Sequence, residues 1–357
     1  MLFVLERITR FGGAMRLIHI RAMRQRLFGL LFLFAPLVFI YASLFVGRYP
    51  LSVTQIFDVL WFKVSGIRTP QISDANITIL WDIRLSRALL GALVGASLAT
   101  SGAAFQGLFR NPLVSSNILG VSSGAGFGAA LAILLAADHS TTYLFSFAFG
   151  LLAVGLAYLI GTVYRSTPTI MLVLGGVIVS AIFSSLLSLM KYVADPYNQL
   201  PAIVFWLMGS LASASFQDLS FAGIPMVAGL LGLAALRWRI NVLSMGDEEA
   251  RTLGVDVTLH KGLVIFFATM AAAGAVCVSG VIGWVGLVIP HIGRMLVGND
   301  NRALIPVSMS LGACFLILID DLARNVTGAE LPLGILTSLI GAPFFVYLLK
   351  RTKGKGW

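Results

Sequence analysis

The chain has 357 residues, 58% hydrophobic and only 11% charged, against about 25% charged in a soluble domain, so a soluble globular class is excluded. Its formal charge of +10 reads as cationic loops on the cytoplasmic side of a membrane rather than as a nucleic-acid surface. Cys277 and Cys314 both lie inside apolar runs, which supports neither a disulfide framework nor a thiolate metal site.

Residues 1–26 carry six arginines with Phe, Leu and Ile between them, the pattern of a basic arm lying on the inner membrane surface. Translation could equally start at Met15 or Met23. The apolar run 27–47 is too long for a signal-peptide core and is read as the first span. Ser52–Trp61 fits a short interfacial helix in the first outer loop. Spans follow at 88–107, 117–137, 143–163 and 169–190, each near the length of about 20 residues that crosses a hydrocarbon core. Between the second and third, "FRNP" is a cytoplasmic turn: Asn111 and Pro112 end a helix and Arg110 stays in the cytosol.

The stretch 200–212, "LPAIVFWLMGSLA", is too short to span and fits a half-helix on the outer side. A sixth span covers 219–236. The longest inner loop, "NVLSMGDEEARTLGVDVTLHK" (241–261), pairs Ser244 with Asp247 as a capping box, puts Glu248 and Glu249 in a first turn and stops at Gly254. This predicts a short polar helix in the cytosol, either a plain loop helix or a docking helix for a soluble partner. Residues 263–298 would exceed about 50 Å as one helix, so a fold near 280–286 makes two spans. The last two lie at 303–322 and 331–349, with Glu330 and Pro332 opening the tenth.

Ten spans put the basic amino terminus and the tail "KRTKGKGW" on one side. With both inside, the outer basic residues are Arg48, Lys63, Arg68, Arg84, Arg87, Lys191 and Arg324, seven of 25, as the positive-inside rule requires. The organisation is a basic arm (1–26), one permease domain (27–350) and a basic tail (351–357). The domain has halves of about 27–212 and 213–350. Five spans per half, an odd number, is the arrangement of an inverted repeat.

Gly91, Gly95, Ala99 and Ala103, and then Gly120, Gly124 and Gly128, recur at every fourth position and permit close helix packing. Acidic residues stay off the middle of the spans: Asp320 and Asp321 end the ninth and Glu330 precedes the tenth. A carrier driven by an ion gradient would place carboxylates near the midplane. The chain has no Walker A motif, and His19, His139, His260 and His291 lack metal-ligand spacing. His291 and Arg294 read as a structural or interfacial pair. Arg84, Arg87 and Arg324 all fall outside, where positive charge is unfavoured. They are either interfacial snorkelling residues or a cationic landing site for an acidic external partner.

Five blocks resemble the permeases of type II ABC importers, which take up ferric siderophores, haem or vitamin B12. They are 83–126 (from "IRLSRALLGALVGASL" through "QGLFRNPLVSSNILGVSSGAG"), "FWLMGSL" (205–211), "GDEEARTLGVDV" (246–257), "GLVIPHIGR" (286–294) and "ELPLGILTSLIGAPFFVYLL" (330–349). The resemblance implies an all-α polytopic fold of ten helices with an inverted five-helix repeat. It implies a homodimer in the cytoplasmic (inner) membrane of a bacterium or archaeon, two cytoplasmic ATP-binding cassette ATPase subunits and a periplasmic or lipid-anchored binding protein. It further implies that no cofactor is bound permanently, that ATP is used by the partner subunit, and that the chain is no enzyme.

"GDEEARTLG" is similar to the family's coupling helix, with Glu249 in place of the motif's central alanine. That makes Asp247, Glu248, Glu249, Arg251 and Gly254 the ATPase-docking residues. Arg84 and Arg87 match the paired arginines of an R-L-P-R element, here Arg-Leu-Ser-Arg, which contacts glutamates of the binding protein; Arg324 would be the third contact. "RSTPTI" (165–170) resembles the inner gate, through Thr167 and Thr169, and spans five and ten with the half-helix should line the cavity. The cargo expected is an iron complex, ferric siderophore or haem, with cobalamin as the alternative. From outside the family, the rivals are a gradient-driven secondary transporter and an intramembrane enzyme, whose paired polar groups at membrane depth the sequence does not present.

Overall fold

The computed structural model describes residues 29–67, 72–162 and 168–351. The expected basic arm, Arg68, Thr167 and the tail beyond Arg351 lie outside them. The first apolar helix, α1, covers Gly29–Ser43. The interfacial helix expected after it is α2 (Val53–Ser65), opened by a capping box between Ser52 and Gln55. Lys63 lies over the Trp81 ring at 5.3 Å, which ties α2 to the next helix.

That next helix begins well before the expected residue 88. Ser73 caps α3 (Asp74–Ile77), which runs through a π-helical segment, Thr78–Leu85, into α4 (Ser86–Phe109). Then come α5 (Val121–Leu134), α6 (His139–Gly161), α7 (Thr169–Val193), α8 (Gln199–Met208), α9 (Phe216–Met245) and the short α10 (Asp247–Thr252). The chain closes with α11 (Val257–Ser279), α12 (Val285–Val297), α13 (Asn301–Asn325) and α14 (Leu333–Arg351). Six of these helices are long and apolar enough to cross a membrane, and α1, α5, α8, α12 and α14 are shorter apolar helices. With α8 as the expected half-helix, the ten expected spans each have their helix. Among the described residues there is no strand.

The centre is α4 and α11. The apolar window of α4 is 89% buried and that of α11 72%, against 28% for α7, so α7 presents a face outward. The neighbour pattern survives exchange of α4, α5, α6 and α7 with α11, α12, α13 and α14. The pair α5–α6 maps onto α12–α13, α6–α7 onto α13–α14, α5–α7 onto α12–α14, and α6–α11 onto α13–α4. The two short members trade places too, α5 with 14 residues and α12 with 13. This is the inverted repeat in its packing, with halves that enter from opposite sides because each has an odd number of crossings.

Close approach explains the small residues. A Cβ on Gly95 of α4 would overlap the Gly312 carbonyl of α13, and one on Gly312 would overlap that of Gly95, so the two backbones touch directly. The break between α11 and α12 lies where expected. Gly280 takes φ 68 and Trp284 φ 69, a conformation that glycine adopts without strain and tryptophan does not. At this break Ser210 donates its backbone N–H to Ser279 at 2.8 Å and Leu333 donates to Gly209 at 2.9 Å. The ends of α8 and α11 and the start of α14 therefore meet.

Candidate functional site

Two polar clusters occupy opposite ends of α4. Arg87 opens it and Arg110 caps it in the left-handed conformation (φ 52), about 34 Å apart at the α-helical rise.

At the first end, burial decides the state of the three arginines. Arg84 and Arg87 are 3% exposed and Arg324 7%, and a buried guanidinium is tolerated only when paired. Arg87 Nη2 lies 2.8 Å from Asp320 and 2.9 Å from Glu330. Arg324 Nε is 3.3 Å from Asp320 one turn back, and its Nη2 contacts Asp321. Arg84 donates to the backbone carbonyls of Leu44, at 2.7 Å, and Tyr49. Ser43 at the end of α1 donates to Asp321 at 2.7 Å, and Arg48 donates to the carbonyls of residues 324, 327 and 328.

Arg84, Arg87 and Arg324, expected either as a landing site for an acidic external partner or as snorkelling residues, stand together at this end of α4 and are buried among their partners. The end of α13 and the loop after it bring three carboxylates within reach, and the charges are consumed inside. Glu330, expected to serve a helix start, is the most exposed of the three carboxylates, with 36% of its side chain accessible. Only the α13 part of this cluster had a sequence signal, since Asp320 and Asp321 stand four and three residues before Arg324. The Arg87 partnership spans more than two hundred residues and had none.

At the second end, α10 follows α9 across a single residue, Gly246, with φ 140. The expected capping box is absent: Ser244 belongs to α9 and donates its hydroxyl to the Asn241 carbonyl at 2.7 Å. A Cβ on Gly246 would overlap the Glu249 carboxylate, so glycine lets that side chain fold back over the helix start. Gly254 takes φ 74 and donates to the Arg251 carbonyl at 2.9 Å, ending α10 as expected. Glu248, Glu249, Arg251 and Gly254 are exposed, Asp247 is half-buried and Ala250 is sealed inward. Asp247 pairs with Lys261 of α11 at 2.7 Å.

A crevice of about 780 Å³ joins α10 to the turn after α4 and the start of α7, with Arg110 and Asn111, Thr169, and Asp247 to Glu249 on its walls. Of the expected gate residues Thr169 is half-buried on that wall; Thr167 lies outside the described residues. Arg294 donates to Gln106, whose amide donates to the Val114 carbonyl at 2.9 Å, and His291 is buried. Through Gln106, Arg294 braces α12 against α4 and the turn that follows it. Asp300, the cap of α13 at this end, has its carboxyl held down at about 2 by the hydrogen bonds of Arg302 and Asn241. Among the described residues no cluster of metal-ligating side chains occurs.

The family model of the FecCD transport family matches residues 34–351. A molybdate import system permease of Haemophilus influenzae is 43% identical over 312 residues, covering 87% of this chain and 92% of its own. A hemin transport system permease of Yersinia pestis is 38% identical over 288 residues, covering 79% of this chain and 86% of its own. A solved inward-facing structure assigned to the metal-chelate type of ABC transporter superposes with a TM-score of 0.81 at 40% identity, covering 92% of this chain and 99% of the other.

Proposed function

The chain belongs to the FecCD transport family of ABC importer permeases, and on that footing we propose that it translocates an iron complex, a ferric siderophore or haem, across the cytoplasmic membrane. Two copies would form the pathway along their common axis. Two ATP-binding cassette subunits would dock on α10 in the cytosol through Asp247, Glu248, Glu249, Arg251 and Gly254. ATP binding there would rock the two copies and alternate access, with Thr167 and Thr169 at the inner gate. An acidic binding protein would deliver cargo at the arginine end, exchanging its own carboxylate for that of the accessible Glu330 on Arg87, with Arg84 and Arg324 beside it.

The observation that carries the cargo reading is the outward face of α7 and α14. Ile170, Leu174, Val177, Ile178 and Ile182 on α7, with Leu339 and Val346 on α14, are exposed, and hydroxyls of Ser184, Ser185 and Ser338 are interspersed. A bare oxyanion would lose its hydration along such a wall without compensation. A metal wrapped in an organic ligand would not. The molybdate relative favours the second reading, an oxyanion, and the cobalamin chelate stays the third.

Uptake into proteoliposomes holding the permease and its ATPase, supplied with the cognate binding protein, separates them. ATP-driven accumulation of ferric siderophore or haem, with none of molybdate or cobalamin, is the expected result. Molybdate uptake alone would overturn the cargo, and uptake driven by a proton gradient without the ATPase would overturn the mechanism.

A further inference from the structure

We propose that Lys261 is the positioning residue that couples α10 to the transmembrane bundle, so that the Asp247–Lys261 pair passes the motion of the docked ATPase into α11. The inference rests on α10 being the docking helix and adds to it the route by which force leaves that helix. A helix of six residues is far below the length of about 12 residues at which an isolated helix becomes even marginal in water. Its shape and direction therefore come from what holds it.

Two things hold it. Ala250 is fully buried against the core that includes Leu243, Val255 and Val257. This apolar contact is non-directional and lets the short helix roll. The second is directional. Lys261 is 1% exposed although it is a lysine, one turn into α11, and its ammonium meets the Asp247 carboxylate at 2.7 Å.

An ammonium sealed from water cannot leave its carboxylate without a large penalty, so residue 247 and residue 261 move together. The side chains that would face a partner, Glu248, Glu249, Arg251 and Leu253, are exposed and separate from this pair. Beyond Lys261, α11 packs on α4, α9 and α6, the centre of the bundle. Tilting α10 thus pulls the central helix directly.

The test uses the whole transporter, permease with ATPase and binding protein, in proteoliposomes, comparing wild type with Lys261→Met and Lys261→Arg. In Lys261→Met the ATPase should still co-purify and basal ATP hydrolysis should persist. Cargo moved per ATP should fall about tenfold or more, within the range of coupling between linked sites. Lys261→Arg, which keeps the charge, should recover most of that ratio, as a merely space-filling role would not require.

Unchanged transport per ATP in Lys261→Met overturns the proposal, and so does loss of the ATPase from both variants, which would make the residue part of the docking surface's folding. Should Lys261→Met fail to fold, Lys261→Gln removes the charge while keeping a polar side chain of similar reach, and decides the matter by the same ratio. If wild type itself neither retains an ATPase nor moves cargo on ATP, the docking reading falls instead, before any variant is compared.

Discussion

A guanidinium sealed from water keeps its place only when its N–H groups are paired, and Arg87 has two carboxylates, Asp320 and Glu330. Arg87→Met should therefore leave Asp320 buried with one weaker partner and destabilise the protein by about 3–5 kcal/mol. Arg87→Met combined with Asp320→Leu should recover much of that loss, because the removed charges then leave together. Thermal unfolding of the purified protein in detergent measures both, and a single variant that melts with wild type would show that the pair does not hold α4 to α13. Charge reversal at this position would gather three carboxylates in one buried site, so it perturbs folding and docking at once.

At the scale of elements, helix packing here depends on what is missing from side chains. Gly95 and Gly312 each accept the other's carbonyl where a Cβ would stand, and α4 cannot retreat because α9 and α11 back it. Gly95→Ala should force the α4–α13 contact apart and destabilise the protein by about 1–3 kcal/mol, the usual range for an overpacked core. Gly155, with nothing near its missing Cβ, is the control: Gly155→Ala should melt at or above wild type, since alanine is the better helix former. Equal melting temperatures for the two variants would refute the close contact.

For the whole molecule, the decisive question is whether the arginine end and α10 face opposite sides of the membrane. Val64, 82% exposed on α2, and Arg251, exposed on α10, mark the two ends. The native Cys277 and Cys314 are buried, so they give little background. In intact cells with the cytoplasmic membrane left closed, Val64→Cys should react with a membrane-impermeant maleimide and Arg251→Cys should react only after lysis. Labelling of both from one side would remove the proposed division between cargo delivery and ATPase docking.

Composition, span lengths and local stop signals were enough to determine a ten-helix membrane chain, the break at Gly280, the half-helix at α8 and the short acidic helix ended by Gly254. Each of these is a property of contiguous residues: how many apolar side chains in a row, and where glycine relieves the backbone. The partners of Arg87, the seating of Lys261 and the loss of the Ser244 cap were settled by tertiary structure. A charge is stabilised by whatever carboxylate lies within a few ångströms in space, and helices from distant parts of the chain bring it there. The burial of Arg84, Arg87 and Arg324 had no signal along the chain for that reason. Spacing along one helix says which face a charge shares and leaves open whether that face meets water or another helix.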